Sequence, residues 1–177
     1  DQLQEKGLVP HHIVGDLDSI SKNLRYWKQQ SNINIIEVAE QNSTDFEKSL
    51  EYIRQKGYSS VLICGLHGGE FDHTLNNWSI LMRYGKSMDI AVYEEGRFAV
   101  PVYESVRFNT MPGEMLSLIP QPRVCLTTDG LEWNLQKEEL ALGLREGARN
   151  RATKEIVTLE IHSGSLLLFQ TAFLPYI

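Results

Sequence analysis

The spacing of hydrophobic positions changes along the chain, and the changes predict its elements. After a short polar, helix-compatible stretch, His12-Ile13-Val14 is the first strand signal. Between Ser19 and Gln30, Ile20, Leu24 and Trp27 recur at i, i+4 and i+7, the period of an amphipathic helix. Ile33 to Val38 is a short apolar run of strand type. Thr44 and Glu47 are then spaced as a capping box opening a helix, with Phe46, Leu50 and Ile53 as its core face and Gly57 as its end. Ser60-Val61-Leu62-Ile63-Cys64 is a continuous apolar strand, as expected where both faces of a parallel sheet are covered. The next helix runs from Asp72 to Tyr84, with Leu75, Trp78 and Met82 inward and Gly85 as its stop. Ile90 to Tyr93 forms one more strand, completing a βαβαβ alternation. That alternation predicts a doubly wound, mainly parallel α/β domain whose ligands bind beyond the carboxyl ends of its strands.

From Arg97 the pattern becomes short alternating runs, at 98–103, 114–119, 124–127, 156–161 and 165–170. Met111-Pro112-Gly113, Pro120-Gln121-Pro122, Thr128-Asp129-Gly130 and His162-Ser163-Gly164 separate them as turns, the last predicting a hairpin. The expected fold class is therefore α/β plus all-β: a doubly wound nucleotide-binding domain at 1–97 and a β-sandwich domain at 98–177.

Composition narrows the function. With 17 Lys+Arg against 23 Asp+Glu the formal charge is −6, and no basic run exists, which disfavours a nucleic-acid partner. Cys64 and Cys125 lie far apart inside apolar runs and read as buried free thiols; without a CxxC pair, a structural zinc site is not expected. No stretch of about 18 apolar residues is present, so no membrane partner is expected, and the expected location is cytoplasmic.

Candidate chemistry sits at strand-to-helix turns. Asp16 and Asp18 in Gly15-Asp16-Leu17-Asp18-Ser19 are two apart, so continued extended geometry would aim both carboxylates at one cation; the plainer reading is that Asp18 or Ser19 caps the next helix. Asp45, Lys48 and Tyr52 form a stripe turned roughly 100° from the Phe46 face. They would hold metal and phosphate, or make only a surface i,i+3 ion pair. Gly65-Leu66-His67-Gly68-Gly69 precedes a helix start and offers backbone N–H groups to an anion, without the spacing of a dinucleotide fingerprint or a Walker loop. Asp72 is by default a cap, and His73 and Asn77 make a polar stripe. Hard cations take oxygen ligands, and Mg²⁺ is held by one or two carboxylates plus phosphates, so these turns suit nucleotide phosphate chemistry. Trp133 reads as a core residue or, at a site, as a face for a flat or cationic ring.

Together these motifs resemble thiamin pyrophosphokinases. Gly15-Asp16-Leu17-Asp18-Ser19 is similar to the family's Gly-Asp-Phe-Asp-Ser, and Gln41 to Lys48 is similar to its Gln/Asp-x-x-Thr-Asp-x-x-Lys segment. Gly68-Gly69-Glu70-Phe71-Asp72-His73 through Asn77 is similar to its Gly-Gly-Arg-x-Asp-His-x-x-x-Asn block, and the likeness continues through Ser117-Leu118-Ile119-Pro120 to Trp133. The resemblance implies transfer of pyrophosphate from ATP to the hydroxyl of thiamin, releasing AMP. It implies Asp16, Asp18, Asp45 and Asp72 as the catalytic, Mg²⁺-binding set. ATP would be contacted by Gln41, Thr44, Lys48, Gly68, Gly69, His73 and Asn77, and thiamin by Trp133 and Asn150. It further implies a homodimer with active sites between subunits.

Three departures stand out. No counterpart of the family's Asp-Gly-Gly strand precedes the first acidic turn, and Glu70 stands where an arginine is usual. Gly147-Ala148-Arg149-Asn150 replaces Ser-x-Ser-Asn, which suggests Arg149 as an electrostatic counterweight to Glu70. Two rivals remain open at this level: another Mg²⁺-dependent phosphate-transfer enzyme, and a non-catalytic thiamin- or nucleotide-binding protein derived from the family.

Overall fold

The structure, a computed structural model, describes residues 2–18, 20, 23–67 and 70–171. The chain folds as two compact units, Asp1–Tyr58 and Ser59–Ile177. The first carries α1 (Gln2–Glu5), β1 (His12–Gly15), α2 (Leu24–Lys28), β2 (Asn34–Glu37) and α3 (Asp45–Gln55). Strands β1 and β2 pair in parallel from His12↔Asn34 to Gly15↔Glu37, with α2 in the crossover. α3 packs against β1 and begins as its sequence predicts: Thr44 is the N-cap, its Oγ1 accepting from the Glu47 N–H at 3.3 Å. Leu50 is buried, with Phe46 and Ile53 half-buried beside it on the expected face. α2 is shorter than the periodicity suggests. It starts at Leu24 after Asn23, which makes no side-chain cap bond, while Ser19, Ser21 and Lys22 fall outside the described residues.

The second unit carries β3 (Ser60–Cys64), α4 (Phe71–Tyr84), β4 (Asp89–Glu94), β5 (Arg97–Val102), β6 (Val106–Asn109), β7 (Met115–Asp129), β8 (Glu138–Ala141), β9 (Gly147–Arg151) and β10 (Ile156–Thr171). They form one mixed sheet in the order β3-β4-β5-β10-β7-β8, with β6 on β10 and β9 on β7. β3 and β4 are parallel, joined through α4, and the other pairs are antiparallel. The parallel-to-antiparallel change occurs inside this sheet, where Val92 on β4 faces Ala99 on β5. Leu116, Leu118, Leu126, Val157, Leu159 and Leu166, all from β7 and β10, lie at the centre of the antiparallel core. Tyr103, just beyond β5, donates its hydroxyl to the Met82 carbonyl of α4 at 2.6 Å, and burial pushes this phenol up to about 12.

Several expectations are corrected. The predicted hairpin at His162-Ser163-Gly164 does not reverse the chain: β10 runs through it as one strand, with register shifts at Ile161/Ser163 and Gly164/Leu166. Bulges bend a strand without ending it, and glycine there admits a close neighbour. Gly164 has φ +80°, and a Cβ on it would lie 2.1 Å from the Arg123 carbonyl oxygen. Gly164→Ala is therefore expected to lower unfolding free energy by about 2–4 kcal/mol, read from a denaturant midpoint. β7 likewise passes through Pro120-Gln121-Pro122, with Pro120 opposite Leu166. β6, β8 and β9 lie outside the runs read as strands from the sequence: β8 and β9 are short and polar, and β6 is a single four-residue alternation, Val106-Arg107-Phe108-Asn109.

Leu75 is 72 % exposed rather than inward, and Ile80 and Leu81 are the buried side chains of α4. β3 buries one side of its pleat only: Ser60, Leu62 and Cys64 are exposed while Val61 and Ile63 are half-buried. Cys64 is thus an exposed free thiol, not a buried one, and Cys125 is half-buried and also free.

Candidate functional site

At the carboxyl end of β1 the chain turns sharply, and α3 delivers two side chains to that turn. Asp45, the first residue of α3, accepts the Asp16 backbone N–H on Oδ1 at 3.1 Å. Lys48, one turn along, is buried, and its Nζ lies 3.4 Å from Asp45 Oδ1 and 3.5 Å from Asp16 Oδ2. The i,i+3 pair of Asp45 and Lys48 does form, and its carboxylate is half exposed, but the ammonium is shielded from water and also reaches Asp16, so it is more than a solvated surface pair. The Gln41 side chain adds a smaller contribution to holding the Asp16 carboxyl down. The 40–43 turn that presents Gln41 is shaped by Glu40, which accepts from the Ser43 hydroxyl at 2.6 Å and from the Asn42 N–H. Glu40 is a site residue that sequence reasoning missed, since its work is to fold a turn.

Asp16 and Asp18 do not simply point the same way. Leu17 between them has φ +66°, a left-handed conformation that costs a leucine roughly 1 kcal/mol, and the Asp18 N–H folds back onto Asp16 Oδ1 at 3.2 Å. That backbone donor, followed by Lys48 and Gln41, holds the Asp16 carboxyl below its ordinary 3.8 against the opposing effect of desolvation. A depressed folded pKa gives stability that is complete above the unfolded value and lost as pH falls through the folded one. Activity lost between pH 5 and 7 is therefore not expected to be Asp16 protonation, and an NMR carboxyl titration should place its midpoint below 3.8.

The approach of α3 requires Gly15: a Cβ there would sit 2.9 Å from the Asp45 carboxyl carbon. Gly15→Ala is expected to swing Asp45 away from the Asp16 amide, costing roughly 1 kcal/mol of stability for the lost hydrogen bond and a much larger fraction of activity. Comparing a melting curve with a turnover assay separates the two.

Hard oxygen donors with one ammonium beside them suit a divalent cation that carries phosphates, because the lysine offsets phosphate charge while the carboxylates hold metal. Among the described residues no three carboxylate, imidazole or thiol groups stand close enough to hold a metal on their own. Asp18 is exposed beyond the Asp16/Asp45 pair.

The second unit holds the remaining expected residues. Glu70 rather than Asp72 is the N-cap of α4 and makes no side-chain cap bond. Asp72 and His73 are exposed in the first turn, where Asp72 Oδ1 accepts from the His73 N–H at 2.9 Å. Asn77 reaches the Leu66 carbonyl at 3.5 Å and so braces the start of the glycine-rich turn. Gly68 and Gly69 lie outside the described residues. Glu70 and Arg149 form no ion pair with each other among the described residues; Arg149 sits on β9 at φ +59°, its N–H donating to Ser117 Oγ at 3.0 Å.

Trp133 and Asn150 come together. Asn150 is buried, accepts the Trp133 N–H at 3.2 Å and donates to the Trp133 carbonyl at 2.9 Å. Its carboxamide is thereby committed to the backbone, so Asn150 holds the loop that carries Trp133. Thr128 and Asn134 brace the same loop: Thr128 Oγ1 accepts from the Leu135 N–H at 2.8 Å, and Asn134 Oδ1 from the Leu131 N–H at 3.1 Å. Trp133 itself is 58 % exposed and borders a cavity of about 190 Å³ with Leu118, Leu140 and Asn150. Of the readings left open for it, the core residue is excluded.

Among the described residues no helix is long and apolar enough to cross a membrane. The family model for "Thiamin pyrophosphokinase, catalytic domain" matches residues 1–93, and that for "Thiamin pyrophosphokinase, vitamin B1 binding domain" matches 103–166. Thiamin pyrophosphokinase 1 of Caenorhabditis elegans is 30% identical over 94% of this chain and 72% of its own length. Thiamine pyrophosphokinase 2 of Arabidopsis thaliana is 29% identical over 89% of this chain, and the aligned part spans 64% of that relative's length. The crystal structure of the Bacillus subtilis thiamine pyrophosphokinase superposes with a TM-score of 0.82 at 22% identity, covering 98% of this chain and 84% of that one. The Candida albicans enzyme superposes equally well, at 0.82 and 16% identity, over 97% of this chain and 76% of its own. With both family models matched in order along a mixed, sheet-dominated α/β fold, the chain belongs to the thiamin pyrophosphokinase family.

Proposed function

We propose that this protein is a Mg²⁺-dependent thiamin pyrophosphokinase, moving the terminal pyrophosphoryl unit of ATP onto the hydroxyl of thiamin and releasing AMP. The observation that carries this reading is the buried Lys48 bridging Asp16 and Asp45 at the carboxyl end of β1, a built pairing of metal-type oxygens with a phosphate-type cation. On this reading residues 1–97 are the nucleotide-handling domain of doubly wound type. Residues 98–177 are the thiamin-handling domain, a β-sandwich folded from the long strands β7 and β10.

Asp16 and Asp45, with Asp18 and Asp72 assigned to the set by resemblance, would hold Mg²⁺, which when bound neutralises triphosphate charge. Lys48 and Gln41 would contact phosphate oxygens, with Thr44 presenting the N-terminus of α3. Gly68 and Gly69 would offer backbone amides to the same anion, and His73 and Asn77 would line the nucleotide. Trp133 would stack on a ring of thiamin, positioned by Asn150. Phosphoryl transfer asks chiefly for alignment and charge neutralisation, which this inventory supplies without a dedicated general base. The family resemblance supports a homodimer with sites between subunits and a cytoplasmic location.

The test is to incubate the full-length protein with ATP, Mg²⁺ and thiamin. AMP and thiamin diphosphate should appear in equal amounts and only when all three are present. Binding of both substrates with neither product formed would favour a non-catalytic relative; ADP in place of AMP would point to a different phosphate-transfer enzyme.

A further inference from the structure

The cavity beside Trp133 lies wholly within the Ser59–Ile177 unit and measures about 190 Å³. A cavity of about 150 Å³ accepts one benzene ring, whereas whole drug-sized ligands need roughly 300 Å³ or more. This one therefore takes a single flat ring, with whatever the ring is attached to left outside. Its floor is Leu118, Leu135 and Leu140, all buried, and the exposed Trp133 forms one wall. That wall is held in place, because Asn150 bonds both backbone groups of Trp133.

Arg145 and Glu146, from the turn between β8 and β9, are the two charged side chains lining the cavity, and they differ in what they leave unmatched. Arg145 Nη1 lies 2.7 Å from Glu138 Oε2, and that guanidinium holds the Glu138 carboxyl below its ordinary value, so the cation already faces an ionised partner. Glu146 has no such match. Its Oε1 accepts the Gly143 backbone N–H at 2.6 Å, while among the described residues no cation pairs with the carboxylate and nothing donates to Oε2. The bond to Gly143 thus fixes the carboxylate without neutralising it. An indole face attracts a cation through its quadrupole, and a fixed carboxylate at the same cavity adds Coulomb attraction. A neutral ring of the same shape gains only the apolar floor and the stacking.

We propose that Glu146 is a specificity-determining residue, which makes this cavity select a positively charged nitrogen heterocycle over its neutral isostere. The inference deepens the proposed function and rests on its thiamin reading. Thiamin carries a permanently charged thiazolium and an aminopyrimidine that becomes charged on protonation; a carboxylate beside an indole suits either, and the experiment separates them.

Binding to full-length wild type and Glu146→Gln is followed by Trp133 fluorescence, with hydroxyethyl-methylthiazole, its N-methylated thiazolium, the aminopyrimidine fragment and thiamin as probes. The substitution keeps the side-chain length and an oxygen for the Gly143 N–H, so it removes only charge. Glu146→Gln should weaken the thiazolium about fivefold and leave the neutral thiazole unchanged, and added salt should weaken the cation in wild type far more than in the variant. In turnover, KM for thiamin should rise by about the same factor with kcat unchanged. If the aminopyrimidine is the ring that enters, its affinity for wild type rises on acidification and that rise is missing from Glu146→Gln, which equally supports the proposal. Charged and neutral probes losing affinity alike, or no loss for any probe at any acidity, overturns the role of Glu146 while thiamin is still bound and converted. Failure of wild type to bind thiamin overturns the thiamin reading and the inference together.

Discussion

Asp16→Asn is expected to lower turnover by about 10³-fold, equivalent to roughly 4 kcal/mol of transition-state stabilisation, while the protein remains folded. The substitution keeps the shape of the side chain and a carbonyl oxygen, so the Asp18 N–H retains an acceptor. What disappears is the negative charge that faces Lys48. The carboxylate is about three-quarters shielded and Lys48 almost fully so, which places the pair between a solvated surface bridge and a dry one. Lys48 keeps Asp45 as a partner in the variant, so the loss of stability should be small. A fall in kcat with thiamin affinity unchanged and the unfolding midpoint nearly preserved is the expected pattern. If instead activity and midpoint fell together, Asp16 would be a packing residue of the β1 turn.

Trp133→Ala is expected to weaken thiamin binding at least tenfold, about 1.4 kcal/mol or more, while leaving ATP binding alone. The indole is 58 % exposed, so truncating it removes little buried surface and unfolding free energy should move by less than about 1 kcal/mol. Asn150→Ala makes a contrasting control. It removes a buried carboxamide that accepts from Trp133 and Arg151 and donates back to Trp133, so stability should fall by about 2 kcal/mol along with thiamin affinity. Thiamin affinity measured by fluorescence quenching, beside a denaturant curve, distinguishes a ring that binds from a loop that holds it. Unaltered thiamin affinity in Trp133→Ala would remove Trp133 from the site.

The helices α3 and α4 and the strands of the first half were legible because each follows one period for several residues and carries its own punctuation, such as Thr44 three residues before Glu47. The long strands β7 and β10 were not. Proline and glycine read locally as turn residues, yet at Pro120 and Gly164 the partner strand continues, and pairing with β10 and β7 outweighs the local preference. β9 carries Arg149 and Asn150 but no apolar alternation, so only pairing to β7 makes it a strand. At the site, the types and spacing of Asp16, Asp45 and Lys48 could be read, but the burial of Lys48 could not, because it depends on α3 lying against β1. Glu40, Leu17 and Asn134 shape turns through local hydrogen bonds or a left-handed backbone, and polar loop residues leave no periodic trace. The cavity beside Trp133 was invisible in sequence, since its walls come from β7, β8, β9 and the loops between them.

Mn²⁺ binding followed by electron paramagnetic resonance at saturating ATP, on wild type and on the Asp16→Asn/Asp45→Asn double variant, tests the proposed metal–triphosphate site most directly. Wild type should take up one metal with the nucleotide, and the double variant should hold it at least a hundredfold more weakly with thiamin affinity unchanged. Uptake of metal and nucleotide by the double variant with wild-type affinity would contradict the account, because the carboxylates gathered around Lys48 would then have no part in holding the reacting phosphates.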